Sequence, residues 1–434
     1  MLTSEPISFW EPSILSLFSR TGVEDFQKDD NIIRQSFTNN ERDFPIDKKQ
    51  FISLSTVRFS SGLGVAMVST FIGIYSDIFS LSGVQVGLVG VAYSLVQLLI
   101  LYPVGRYADL GHRKVLLLSG LVIGVPTYLL FWRVGGFGSL FGSRLLQGFS
   151  IALTTAVGLS FISIRSKEAN RGRNLGTYNS LRAAGQTIGA LGGGFLVARF
   201  GFGVPYMILA SLYALSFAAI LFVVPEESVE SREGRSGGGL HLSELLAGVQ
   251  FRIQIGFELF FAFAKAIIIV FIPVYAYAVI GLTEGQLGAV VAARYLMFAL
   301  GQGPAGKLSD IIGRAPLVVG GGTLFAIAAF VLPYQKSFWG LLLVAALIGI
   351  GDSIRVPASW GIFADQGINT GPATSFSFRM LAWRPGLIAG PLLGGFIKDL
   401  MGIANTFYAA AAAVTVALIG YIVSHLLHGE KISL

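Results

Sequence analysis

The chain has no cysteine. Disulfides, thiolate metal sites and a cysteine nucleophile are therefore excluded, and the redox compartment is left open. Histidine is scarce as well: His112, His241, His425 and His428 are the four. The last two sit three apart at the C-terminus and read as interfacial side chains, so no metal site and no cofactor is expected. Charged residues make up 13% of the sequence, against roughly 25% in soluble domains. No nucleophile–base spacing or phosphate-binding loop occurs, which argues against an enzyme. No apolar leader with a cleavage site opens the sequence.

The chain is instead rich in apolar residues. They account for 53% of its 434 residues, and the mean hydropathy is +0.69. Crossing a bilayer core takes about 20 apolar residues per helix. Twelve stretches qualify: 56–78, 84–105, 114–133, 139–163, 174–199, 203–224, 254–279, 285–306, 316–334, 338–361, 376–399 and 404–427. The expected fold is an all-α membrane protein of two six-helix bundles, 51–224 and 251–434. A polar linker, 225–250, joins them, and residues 1–50 form a cytoplasmic N-terminal extension without regular structure. Ile7 to Phe18 within it has a weak pattern for a short interfacial helix.

The net charge of +7 fits cytoplasmic loops better than a nucleic-acid partner, because Lys and Arg accumulate on the cytoplasmic side of membrane proteins. With the N-terminus inside, the inner loops hold twelve Lys and Arg, and the outer loops hold four. Both termini are then cytoplasmic, in a plasma (inner) membrane protein expected to be a monomer.

One pattern of small and charged residues occurs twice, 201 positions apart. Gly105, Asp109, Gly148, Gly185, Gly189 and Gly193 recur as Gly306, Asp310, Gly349, Gly386, Gly390 and Gly394. Internal repeats in a chain of many spans imply two matched halves with a site where they meet, an arrangement suited to alternating access.

Three motifs carry more. After the second span comes Gly105-Arg106-Tyr107-Ala108-Asp109-Leu110-Gly111-His112-Arg113, and after the eighth comes Gly306-Lys307-Leu308-Ser309-Asp310-Ile311-Ile312-Gly313-Arg314. The glycines permit a tight turn, and the Asp stands near the start of the next helix, where the dipole favours negative charge. In the fourth span Arg144 and Gln147 share a helix face, followed by Gly148. In the eleventh, Gly386, Gly390, Pro391, Gly394 and Gly395 draw a stripe of small residues on which a neighbour packs closely. The fifth has Gly185, Gly189, Gly193 and Gly194, with Ala190 where the eleventh has proline.

This set resembles the major facilitator superfamily, and within it the drug:proton antiporter-type members. The resemblance covers roughly 52–428. It implies that the two loops, with Gly105, Asp109, Arg113, Gly306, Asp310, Gly313 and Arg314, act as conformational latches. It also implies that Arg144 belongs to a proton-coupling signature and that the glycine stripes belong to an antiporter motif. Two departures stand out. The first loop is one residue shorter than the second between its Asp and the next Gly. The complete glycine–proline motif lies in the eleventh span rather than the fifth.

Six charges fall at mid-depth: Arg182, Lys265, Arg294, Asp352, Arg355 and Arg384. Each costs about 2.5–3.5 kcal/mol at a helix centre, so six facing lipid would cost on the order of 15–20 kcal/mol. They are expected to face the bundle interior. Asp352 has Arg355 one turn away, with Lys265 and Arg294 as partners across the bundle, and it is the leading carboxylate for proton exchange. The surplus of cations points to an anionic or carbonyl-rich ligand. Arg58, Glu258 and Arg379, nearer the span ends, read as interfacial, with Glu258 as the reserve carboxylate for proton exchange.

The function these features imply is secondary active transport of a small organic solute by rocking of two halves. The driving force would be a proton gradient, and the reading is export of the multidrug-efflux type. Proton-coupled uptake of an organic anion is the alternative. A non-transporting membrane scaffold or sensor is the alternative of another class, against which the intramembrane charges argue.

Overall fold

The computed structural model describes residues 47–166, 168–225, 249–370 and 372–427. The N-terminal extension up to residue 46 and most of the linker lie outside the described residues. Twelve helices follow one another: α1 Lys48–Ile78, α2 Gly83–Asp109, α3 Arg113–Trp132, α4 Phe137–Arg165, α5 Glu168–Phe200 and α6 Gly203–Val223 in the first half; α7 Val249–Val274, α8 Glu284–Ile312, α9 Arg314–Val331, α10 Phe338–Thr370, α11 Pro372–Met401 and α12 Ile403–Leu427 in the second. A π-helical turn, Tyr275–Val279, extends α7 just after Pro273. Each helix joins the next by a short turn, apart from the linker, so neighbours run in opposite directions. One face of the molecule carries the loops with Arg106, Arg113, Lys307 and Arg314; we call it the basic face.

The repeat extends to the turns. A capping box opens α2, with Gln85 N donating to Ser82 Oγ (3.2 Å) and Ser82 N to Gln85 Oε1 (3.0 Å). The same box opens α8, with Gln286 N donating to Thr283 Oγ1 (3.4 Å) and Thr283 N to Gln286 Oε1 (3.1 Å). Such boxes satisfy two of the orphan amides at a helix start. Left-handed residues recur at the same spacing, Ser80 with Gly281 and Gly201 with Gly402. Gly111 and Gly313, which end the two basic-face loops, are also left-handed (φ 91° and 89°). They fall out of register by one position, which is where the first loop is a residue shorter.

Nine of the twelve helices, among the described residues, are long and apolar enough to cross a membrane. The three that are not are α5, α8 and α11. Within each half, the glycine stripes seat helices against each other. Gly185 and Gly189 lie against the backbone of Phe59 and Leu63 in α1, and Gly386 and Gly390 against that of Leu259 and Phe263 in α7. Gly193 lies on Met67, and Gly394 on Phe271 and Ile267.

Between the halves, α5 packs on α8, α2 on α11, and α1 on α7. The second glycine of each Gly-Gly pair makes these contacts. Gly194 meets the backbone of Glu284 and Gly288, and Gly395 meets that of Gly83. Pro391 faces the other half too, its carbonyl lying against Gly87. At the same end, Asp399 of α11 caps α2 across the interface: its carboxylate accepts from Gly83 N and from Val84 N (2.9 Å to the latter). These contacts collect at the face opposite the basic one.

Candidate functional site

The second half holds a buried ionic cluster built on α7, α10 and α11. Glu258 is fully buried and receives three donors. Arg355 Nη1 lies 2.9 Å from its Oε1, Arg379 Nη2 lies 3.3 Å from its Oε2, and the Ser359 hydroxyl donates to Oε1. Asp352 pairs with Lys265 and faces Arg355, whose Nη2 is 3.6 Å from Asp352 Oδ1. Three cations thus share two carboxylates. Aromatic faces take part of the surplus: Arg355 lies 3.7 Å from the Phe261 ring centroid, Arg379 lies 4.3 Å from Trp360, and Lys265 lies 4.9 Å from Phe298. Cation–π contacts of this kind gain strength when desolvated. Arg355 Nε and Nη2, Arg379 Nε and Asp352 Oδ1 are buried without a hydrogen-bond partner.

The spacing along α10 explains this convergence. Asp352, Arg355 and Ser359 lie three and four residues apart, so they share one face. That face looks at Glu258 and Lys265 of α7, themselves two turns apart.

The first half is different. Its two buried arginines are held by neutral groups. Arg144 donates from Nη1 to Gln147 Oε1 (2.7 Å) and from Nη2 to Ser69 Oγ (3.2 Å), and Gln147 Nε2 in turn reaches the Gly64 carbonyl (3.2 Å). Arg58 donates to Thr155 Oγ1 (3.1 Å) and Asn179 Oδ1 (2.8 Å), with the Tyr178 ring centroid 5.2 Å away. Both keep an unpartnered Nε.

The six mid-depth charges are thus distributed over two arrangements. Lys265, Asp352 and Arg355 come together with one another. Arg294 is buried on α8, over the ring of Tyr295 (4.4 Å to the centroid), and the other two lie half-buried: Arg182 on α5 and Arg384 on α11. Arg384 Nη1 lies 3.4 Å from Gln97 Oε1 of α2, which joins the two halves near mid-depth. Asp352 takes Lys265 and Arg355 as partners rather than Arg294.

Three residues are corrected. Arg58, Glu258 and Arg379 are not interfacial; each is at most 4% exposed. Sequence reasoning placed them by distance from the span ends, but these helices run to about 30 residues and extend past the bilayer core, so a charge two or three turns from a helix start is already enclosed. A signal was present: Glu258 lies seven residues from Lys265, on the same face.

On the basic face, Arg314 Nη1 donates to the Gly361 carbonyl, tying the start of α9 to α10. Asp310 is exposed, a Cβ added at Gly306 would meet the Pro357 side chain at 4.0 Å, and Arg113 is half-buried. The side chain of Asp109 lies outside the described residues. No cluster of His, Asp or Glu suited to a metal ion is present among the described residues.

Two pseudo-symmetric six-helix bundles, with charges enclosed by the bundles rather than facing lipid, define a polytopic membrane transporter. The sequence profile of the Major Facilitator Superfamily matches residues 54–261 and 255–431, and the chain belongs to that family. It is 25% identical to multidrug resistance protein 2 of Bacillus subtilis over 392 residues, covering 86% of this chain and 94% of that one. It is 24% identical to multidrug resistance protein MdtG of Dickeya zeae, covering 86% and 93%. A rat (Rattus norvegicus) chromaffin granule amine transporter matches at 25%, over 74% of this chain and 61% of the relative. Among solved structures, a bacterial homologue of the human lysosomal transporter Spinster, in an inward-facing and unoccupied conformation, superposes with a TM-score of 0.71 at 16% identity. That match covers 87% of this chain and 95% of the other. The nucleoside transporter NupG gives 0.70 at 15%, covering 86% and 98%. These likenesses concern the fold. The chain is a transporter, not an enzyme.

Proposed function

We propose that the chain is a proton-coupled secondary transporter that exports a small organic solute by alternating access. The observation that supports it most is the Lys265–Asp352 pair, placed beside the Glu258–Arg355–Arg379 triad inside a two-bundle fold. A carboxylate paired with a lysine can take up one proton from outside while the lysine stays charged, and releasing that proton restores the ion pair. The protonated aspartate beside an ammonium, and the ion pair, differ by one proton, and access from one side of the membrane or the other can select between them. Export is favoured by relatives named as multidrug resistance proteins and, in Lactococcus lactis, as a homologue of a multi-drug resistance efflux pump. The bias of Lys and Arg toward one set of loops makes the basic face cytoplasmic, with both termini on that side of a plasma membrane. The reading includes no resident cofactor and a single copy of the chain.

In this frame the structure is closed at its outer face by the Asp399 cap and the Gly194–Gly288 contact. Transport requires these to part while the basic face closes.

The test is a pH jump on proteoliposomes loaded with two fluorescent solutes, an aromatic carboxylate and ethidium. Gradient-accelerated flux of one of them is expected in the wild type and is expected to vanish in Asp352→Asn. Undiminished gradient-driven flux in Asp352→Asn would refute the coupling role. Uptake of an organic anion is the second reading, favoured by the excess of enclosed cations; the direction of the same flux separates the two.

A further inference from the structure

The charge inventory of the interior is one-sided. Among the described residues, Glu258 and Asp352 are the two buried carboxylates, and both are engaged, by Arg355 and Arg379 and by Lys265. Neither is free to meet a cationic solute. Arg182, Arg294 and Arg384 form no ion pair among the described residues. The half-buried Tyr93 of α2 is close enough to Arg384, Arg144 and Arg58 to interact electrostatically with all three. Tyr295, beneath Arg294, is within the same reach of Arg144 in the other half.

The placement matters as much as the count. Arg182, Arg294 and Arg384 stand on α5, α8 and α11, the three helices too polar to qualify as spans by apolarity alone. All three helices pack across the line between the halves. An arginine cannot relieve its burial by losing its proton, and each such charge facing lipid would carry a cost of about 2.5–3.5 kcal/mol. Guanidinium groups that burial cannot neutralise, and that no carboxylate answers, form a site for an external anion.

We propose that the transported solute is an amphipathic organic anion, its acidic group taken by the unpaired guanidinium groups of Arg384, with Gln97 as a neutral partner, and Arg294, with Tyr295 beneath it. This rests on the carrier reading and adds the substrate class to it. A lipophilic cation, the solute expected of a drug exporter with a free buried acid, finds no unpaired buried carboxylate among the described residues.

The assignment is tested by binding, which does not depend on turnover. Purified full-length protein in nanodiscs is titrated with 1-naphthoate, with neutral 1-naphthylmethanol and with tetraphenylphosphonium, by calorimetry. Saturable naphthoate binding is expected, stronger than that of the alcohol, with no saturable binding of the cation. Arg384→Gln and Arg294→Gln should each weaken naphthoate at least tenfold, and Arg384→Lys should recover most of the loss, which a merely misfolded variant would not do. Saturable tetraphenylphosphonium binding without naphthoate binding, no naphthoate binding at all, or Gln variants that bind naphthoate like the wild type would each overturn the assignment. Naphthoate binding without flux in proteoliposomes would uphold the anion site and count against the carrier reading on which the word transported rests.

Discussion

Glu258 and Asp352 are both buried carboxylates, yet their loss should have different consequences. Asp352 answers mainly to a lysine. Remove its charge, and Lys265 can shed a proton and become neutral, so the fold survives. Glu258 answers to two arginines, which cannot deprotonate. Glu258→Gln leaves two guanidinium groups uncompensated, and stripping one partner from a buried ion pair costs about 3–5 kcal/mol. Thermal unfolding in detergent should then fall on the order of 10 °C for Glu258→Gln, while Asp352→Asn stays close to wild type. Equal melting of the two variants would remove the distinction. This asymmetry was only half legible in the sequence. Lys265, Asp352 and Arg355 stood out because their spans are otherwise apolar. Glu258 and Arg379 did not, because depth was judged along one helix, whereas burial is decided by which helices pack around it. Ser359, which donates to Glu258, carries no signal at all in an apolar stretch already rich in small residues.

At the level of helices, the repeat was readable because its carriers are glycines, and a glycine position is set by backbone approach rather than by chemistry. Gly185, Gly189, Gly386 and Gly390 each sit where an added side chain would strike the backbone of α1 or α7, so both halves keep them. The cap that Asp399 makes on α2 was not readable. It joins residues more than 300 positions apart, and Lys398-Asp399 looks like any polar loop start. That cap has a calculable effect. Side-chain caps are worth about 0.5–2 kcal/mol, typically near 1, and this one exists only while the α2 and α11 ends touch. Asp399→Ala should therefore favour opening of that face by roughly fivefold. Spin-label distances between α2 and α11 at that face should show the longer population rising accordingly; an unaltered distribution would mean that the glycine contacts alone hold the face shut.

Across the whole molecule, the backbone is symmetric and the chemistry is not. Caps, left-handed turns and glycine stripes all repeat, but the position matching Glu258 is Val57, that matching Asp352 is Ile151, and that matching Arg294 is Tyr93. Two equal scaffolds thus carry unequal contents: neutral hydrogen-bond partners for arginine in one half, an ionic network in the other. In the proposed mechanism, scaffold symmetry supplies the rocking geometry, and a lopsided interior supplies a site that changes its surroundings as the halves tilt. If that is how the protein works, the face now closed must become accessible from one side of the membrane only. The absence of native cysteine makes this measurable without background. Ala190 is fully buried on α5, its backbone in contact with Gly288 of the other half, and Lys307 is exposed on the basic face. In intact cells, an impermeant maleimide should label Ala190→Cys slowly and Lys307→Cys not at all, while in inverted vesicles Lys307→Cys should react at once. Adding Asp399→Ala should speed the labelling of Ala190→Cys by roughly the fivefold its cap is worth. Labelling of both cysteines from the same side would contradict the orientation. A rate at Ala190→Cys indifferent to Asp399 would mean that the closed face does not open by separating α2 from α11.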